Sequence, residues 1–149
     1  EGAVLAKRDP AKIKLHEYIR VCIDEDIDLA KRTLAKSVMQ YALGPANSSP
    51  KTRRVGYRAH FERMGFKDVL NRLDTMRANG SSQDAMANAF PEELLSQIGY
   101  FGPPDKAADA VSKLASGLDI AVVRVVPAKR GLSSTMDSMR ACKPQLLTI

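Results

Sequence analysis

Residues 99–127 read GYFGPPDKAADAVSKLASGLDIAVVRVVP, and this stretch decides the fold class. It spells a turn, a helix, a tight loop and a buried strand. Gly102 followed by Pro103 and Pro104 makes a rigid opening, because proline fixes φ and has no N–H to lose in a first helical turn. Asp105 adds negative charge where the helix dipole favours it. Ala107, Ala108, Val111, Leu114 and Ala115 recur at helical spacing, and Gly117 stands where a left-handed C-cap residue belongs. From Ile120 to Val126 the chain is largely β-branched and apolar, interrupted only by Arg124. Such a run suits a strand buried on both faces of a parallel sheet. The spacing predicts a helix over 103–116, a strand over 119–126 and an α/β class.

Working back toward the N-terminus, Ile13, Leu15, Ile19, Val21 and Ile23 share one face of a strand over 13–23. Lys14, His16, Tyr18, Arg20 and Cys22 occupy the other, a mixed side that suits either a cleft or a solvated edge. Asp24, Glu25, Asp26 and Asp28 follow. A calcium loop beginning at Asp24 would need glycine at its sixth position and glutamate at its twelfth; Leu29 and Ala35 stand there. The acidic group instead opens a helix over 26–43, with Asp24 or Asp26 as cap. Ile27, Ala30, Leu34, Val38 and Tyr41 line its apolar face, and Gly44-Pro45 ends it.

Between the two strands lies a helical insertion over 53–98. Tyr57 to Met64 forms a short helix stopped by Gly65, and Phe66, Val69, Leu70, Leu73 and Met76 define another. Ser81 or Ser82 caps a third, and Pro91 opens a fourth. A last helix over 133–143 is capped by Ser133 or Ser134 and closed by Pro144, leaving an apolar tail from Leu146 to Ile149 to dock. Residues 1–12 read as a helix end and a loop, broken at Asp9-Pro10. A first residue of Glu1 suggests processing, truncation or a piece of something longer.

The 149 residues suffice for one compact domain burying roughly 70% of its unfolded surface. With 5% aromatics and no Trp, its core rests on Ala, Leu, Ile, Val and Met. No apolar run approaches the ~20 residues a membrane helix needs, and no signal-peptide pattern opens the chain, so the expectation is a cytoplasmic protein. Cys22 and Cys142 lie far apart without a CxxC and read as free thiols. The net charge of +6 is spread along the chain with few aromatics among it, which argues against nucleic acid. Lys51, Arg53, Arg54 and Arg58 form the local cluster, either a solvated basic face or the contact for an anionic substrate or cofactor tail. There is no GxGxxG, Walker loop, HExxH or GxSxG, and the histidines are His16 and His60 alone. No catalytic residue and no metal site can be assigned from spacing.

The order of these elements resembles a known family. Gly102-Pro103-Pro104-Asp105, a helix, Gly117-Leu118-Asp119 and an apolar strand look like the closing segment of luciferase-like flavin and deazaflavin oxidoreductases. There the wording is Gly-Thr-Pro-Glu/Asp, a helix, Gly-Val-Asp and a final barrel strand. Tyr57 through Phe66 is similar to the helical insertion before that segment, and Arg8 through Ile13 with Asp24-Glu25-Asp26 is similar to the preceding strand unit. The nearest branch is the methylenetetrahydromethanopterin reductase-like one. Pro103 replaces the family's threonine and removes a hydroxyl cap or ligand contact.

The resemblance implies the C-terminal part of a TIM (β/α)8 barrel: two parallel strands, a large helical insertion and a closing helix. A complete barrel takes about 250 residues. It also implies a deazaflavin coenzyme or FMN as cofactor, with a small-molecule substrate undergoing hydride transfer or monooxygenation. The remaining barrel segment or a homo-oligomer would be its partner, and Lys51, Arg53, Arg54 and Arg58 would border the barrel mouth. The competing expectation is a catalytically inert helical module that self-associates or binds a partner, since exposed strand edges and apolar surface favour association.

Overall fold

A computed structural model describes residues 2–45 and 55–144. Its centre is a strand, β1 (His16–Ile23), paired in parallel with two others: β2 (Gly99–Gly102) and β3 (Ile120–Val125). The sheet order is β2-β1-β3. Helices cover both faces, which makes a three-layer α/β arrangement that is mostly helical by content. The strand count corrects the expectation of two. Gly99-Tyr100-Phe101-Gly102 reads locally as a turn, yet it pairs with Arg20 through Ile23 because β1 has a free side there.

The pleat of β1 divides the core. Ile19, Val21 and Ile23 point toward α7 (Ala107–Leu114) and α8 (Leu132–Ala141), packing with Ala107, Val111 and Cys142. Cys22 points the other way, into the larger cluster built on α2 (Ile27–Ala42) and the helical insertion. Val21 and Cys22 are thus both fully buried, and the strand sealed on both faces is β1 rather than β3. β3 alternates between exposed and half-buried residues, because helices cover only one of its faces. At the start of β1, Ile13 and Leu15 are exposed, and the strand begins at His16 rather than Ile13.

The insertion folds as α3 (Tyr57–Phe61), α4 (Lys67–Ala78), α5 (Gln83–Asn88) and α6 (Glu92–Ile98), with a π turn over Glu62–Phe66. A short α1 (Gly2–Leu5) precedes β1. Several local signals act as the sequence implies. Asp26 caps α2 by accepting from the Leu29 N–H at 2.9 Å, and Ser82 caps α5 by accepting from Ala85 N–H at 3.1 Å. Gly117 ends the α7 unit at φ 82, a left-handed conformation that glycine adopts without a Cβ penalty. The last helix departs from expectation. It starts at Leu132 after Gly131, neither Ser133 nor Ser134 makes a capping bond, and Ser138 instead donates back to the Ser134 carbonyl. The 103–116 helix divides into a 3-10 turn (Pro104–Lys106) and α7. The expected docking of residues 146–149 lies outside the described residues.

Gly99 lets β2 approach β1. A Cβ there would sit 2.3 Å from the Arg20 carbonyl oxygen, on backbone that cannot yield. Gly99→Ala is therefore expected to lower stability by about 2 kcal/mol, as overpacking does. Gly2→Ala, with open space around it, should change stability by less than about 0.5 kcal/mol. Chemical denaturation of the two variants checks both values.

Candidate functional site

In open parallel sheets ligands bind outside the carboxyl ends of the strands, where the chain leaves in opposite directions from neighbouring strands. Here that place is the end of β1 beside the end of β3: α2 leaves β1 toward one face, whereas α8 follows β3 on the other. A crevice of about 480 Å³ lies there, lined by Ile23, Asp24, Pro104, Lys129, Arg130 and Ser134 among others. That volume falls in the roughly 300–1,000 Å³ range of small-ligand sites. A second cleft of about 500 Å³ borders β2 around Tyr100 and Lys113, with fewer converging charges.

Asp24 is the best-held group in the crevice. Its backbone N–H donates to the Gly102 carbonyl at 3.0 Å, which places the residue at the joint of β1 and β2. Its carboxylate accepts from the Asp26 N–H at 3.0 Å and pairs with Lys129 at 2.7 Å. The side chain is only 9% exposed. The Lys129 hydrogen bond, helped by the Asp26 amide, holds the Asp24 carboxyl below its ordinary range, so it is a fixed anion. Lys129 is pushed up by the same partner. Tyr100, which lines the second cleft, donates to the Pro103 carbonyl at 2.6 Å, and burial raises its hydroxyl to about 12.

The sequence-derived basic cluster fares differently. Lys51, Arg53 and Arg54 lie outside the described residues. Arg58 is buried, 6% exposed, and its guanidinium is turned onto partners within the chain. Nε donates to Glu62 at 2.9 Å, Nη2 to Asn71 at 2.9 Å, and Nη1 pairs with Asp74 at 2.6 Å. Asp74 also pairs with Arg77, which donates to the Gly44 carbonyl at 2.7 Å. Arg58 is thus the rivet joining α3 to α4 and, through Arg77, to the end of α2.

The described residues contain no nucleophile paired with a base. Burial pushes the Cys22 thiol up to about 12, and Cys142 is raised for the same reason, so both stay protonated. Among the described residues no group of three His, Cys, Asp or Glu is placed to hold a metal, nor is any helix long and apolar enough to cross a membrane. What the crevice offers is binding: cationic Lys129 and Arg130, hydroxyls of α8, and the carboxylates of Asp24, Glu25 and Asp137. Lys129 and Arg130 escaped the sequence reading because the loop after β3 meets the acidic turn after β1 only through the sheet. The chain matches no protein-family model, no curated protein and no solved structure.

Because the folded Asp24 carboxyl titrates below its unfolded value of 3.8, it stabilises the fold above that pH. That contribution is lost as pH falls through the lowered folded midpoint. Carboxyl-detected NMR should place the Asp24 midpoint below 3.8 in the native chain and higher in Lys129→Gln. Arg58→Met should cost about 2 kcal/mol in urea unfolding, since it strips partners from half-buried Glu62 and Asp74. A phosphate- or carboxylate-binding role for Arg58 would leave stability unchanged instead.

Proposed function

We propose that this chain supplies the closing portion of a luciferase-like flavin- or deazaflavin-dependent oxidoreductase. The observation that carries the reading is the unit from Gly102 to Val125. A glycine at φ 137, a proline-led turn, α7, Gly117 and a parallel strand follow in the order that the resemblance requires. The crevice at the carboxyl ends of β1 and β3 lies where barrels of this kind place cofactor and substrate.

The crevice suits the polar tail of such a cofactor better than its flat ring. Arg130 and the hydroxyls of α8 face it beside the Asp24–Lys129 pair, Glu25 and Asp137, and no aromatic side chain lines it among the described residues. In this reading the ring is walled by the other barrel strands. When bound, flavin or deazaflavin supplies hydride transfer, and flavin can also activate oxygen. This chain's part is to orient: Asp24 fixes Lys129, and the β1–β2 joint fixes Asp24.

Consecutive strands of a closed barrel lie side by side. In this reading β1 and β3 are the last two strands of the barrel, and their parallel pairing is the one such neighbours make, with β2 lying on the other side of β1. A TIM barrel is in this sense part of the proposal, as are the cytoplasmic setting and the small-molecule substrate.

A second reading is favoured by the edges of β2 and β3, which pair with no further strand among the described residues, and by the exposed Tyr18, Ile120 and Val122: an inert module that self-associates or binds a protein partner. Two measurements separate them. A version extended upstream of Glu1 should shift the absorbance of FMN or of a deazaflavin coenzyme on mixing; failure with both overturns the oxidoreductase reading. Light scattering on the 149-residue chain should give a dimer or larger under the module reading, and a clean monomer with no partner removes it.

A further inference from the structure

Arg20 and Arg124 sit directly beside one another, in register across the β1–β3 pair. In-register neighbours on adjacent strands, about 4.8 Å apart, project to the same face of a sheet. That face is the α2 side, because the Arg20 guanidinium stacks over the Tyr41 ring at 4.5 Å. Both cations act on the Tyr41 hydroxyl, opposing the burial that raises it. Like charges placed opposite each other across a sheet are destabilising. Among the described residues, neither guanidinium forms an ion pair or a conventional hydrogen bond, and Arg20 Nε is sealed from solvent without a partner. Two arginines held together without a counter-charge are an arrangement that an oxyanion completes.

The surface beyond them is apolar. Along the same face the next register pair is Tyr18 with Val122, followed by His16 with Ile120. Tyr18, Val122 and Ile120 are 61%, 37% and 47% exposed, although parallel sheets ordinarily bury both faces. The strip thus has a cationic end and an apolar end. A second copy laid on the strip about a two-fold axis would set each arginine pair against the other copy's apolar end and leave its charge without a counter-charge.

We propose that Arg20 and Arg124 form an oxyanion-binding site on this uncovered half of the sheet, for a small molecule that carries a carboxylate or phosphate on a flat apolar body. The terminal Nη groups of both arginines grip the oxyanion in fork geometry, and the body lies on Tyr18, Val122 and Ile120. Tyr41 is a positioning residue: it fixes Arg20 by stacking, so little side-chain freedom is lost on binding. The inference does not rest on the oxidoreductase reading, and it concerns a surface separate from the crevice at Lys129.

The test is calorimetric titration of the 149-residue chain with 1-naphthyl phosphate, 2-naphthoate and neutral 2-naphthol, none of which is a redox cofactor. At least one anion should bind about tenfold or more tightly than 2-naphthol, and which one does so separates phosphate from carboxylate ligands. Exposed Arg124→Gln should erase most of that preference while leaving the circular dichroism spectrum unchanged, and Arg130→Gln should leave the preference intact. Arg20→Lys should weaken anion binding, because an ammonium lacks the fork. Equal binding of 2-naphthol and the anions overturns the proposal, as does a preference that survives Arg124→Gln or vanishes with Arg130→Gln. Binding of an acidic peptide but of neither naphthyl anion also overturns it, in favour of a protein partner.

Discussion

The pairing of β1 on both of its sides is the constraint that organises this molecule. A strand flanked by two parallel neighbours has its backbone hydrogen bonds satisfied, and it can be buried on both faces once helices cover them. Val21 and Cys22 are consecutive and fully buried, so each core begins at one side of the same strand. Gly99 allows β2 to come close enough to pair, and Asp119 fixes the start of β3. The Asp119 carboxylate accepts from the Leu15 N–H at 2.9 Å and pairs with Lys14 at 2.8 Å, while the Asp119 N–H donates to the Leu15 carbonyl at 3.0 Å.

From this arrangement two chemically different surfaces arise. At the carboxyl ends of the strands, the turn after β1 and the loop after β3 meet, and their opposite charges lock as Asp24 with Lys129. On the α2 side of β3 no helix arrives among the described residues, so Arg20 and Arg124 stand together over an apolar strip. The first surface is self-neutralised and rigid. The second holds uncompensated positive charge, which is why it carries the binding proposal. The Arg58 network shows the contrast: the same side-chain type, surrounded by Glu62, Asn71 and Asp74, becomes a structural tie.

Local signals were legible where the deciding physics is local. The caps at Asp26 and Ser82, the helix stop at Gly117 and the kink at Gly65, φ 99, need only their own neighbours in sequence. The parallel, helix-rich α/β class followed from the alternation over residues 13–23 and the apolar run at Ile120–Val126. Where a partner distant in sequence decides, the reading failed. The four residues of β2 are too few for a periodic pattern and carry two glycines, so only the free side of β1 makes them a strand. Arg58 has the look of a free cation until α4 folds against it.

The sequence by itself determined the helices, the parallel class of the sheet and the residue types available for binding, because spacing, capping and β-branching act over a few residues. The unit at residues 99–127 folds with its helix and second strand much as its spelling implies. Tertiary structure alone decided that this unit opens with a strand, that β1 rather than β3 is the buried centre, and that Arg20 meets Arg124. Strand register and sheet order depend on which backbone groups find each other across the fold. No periodicity within a single segment encodes that choice.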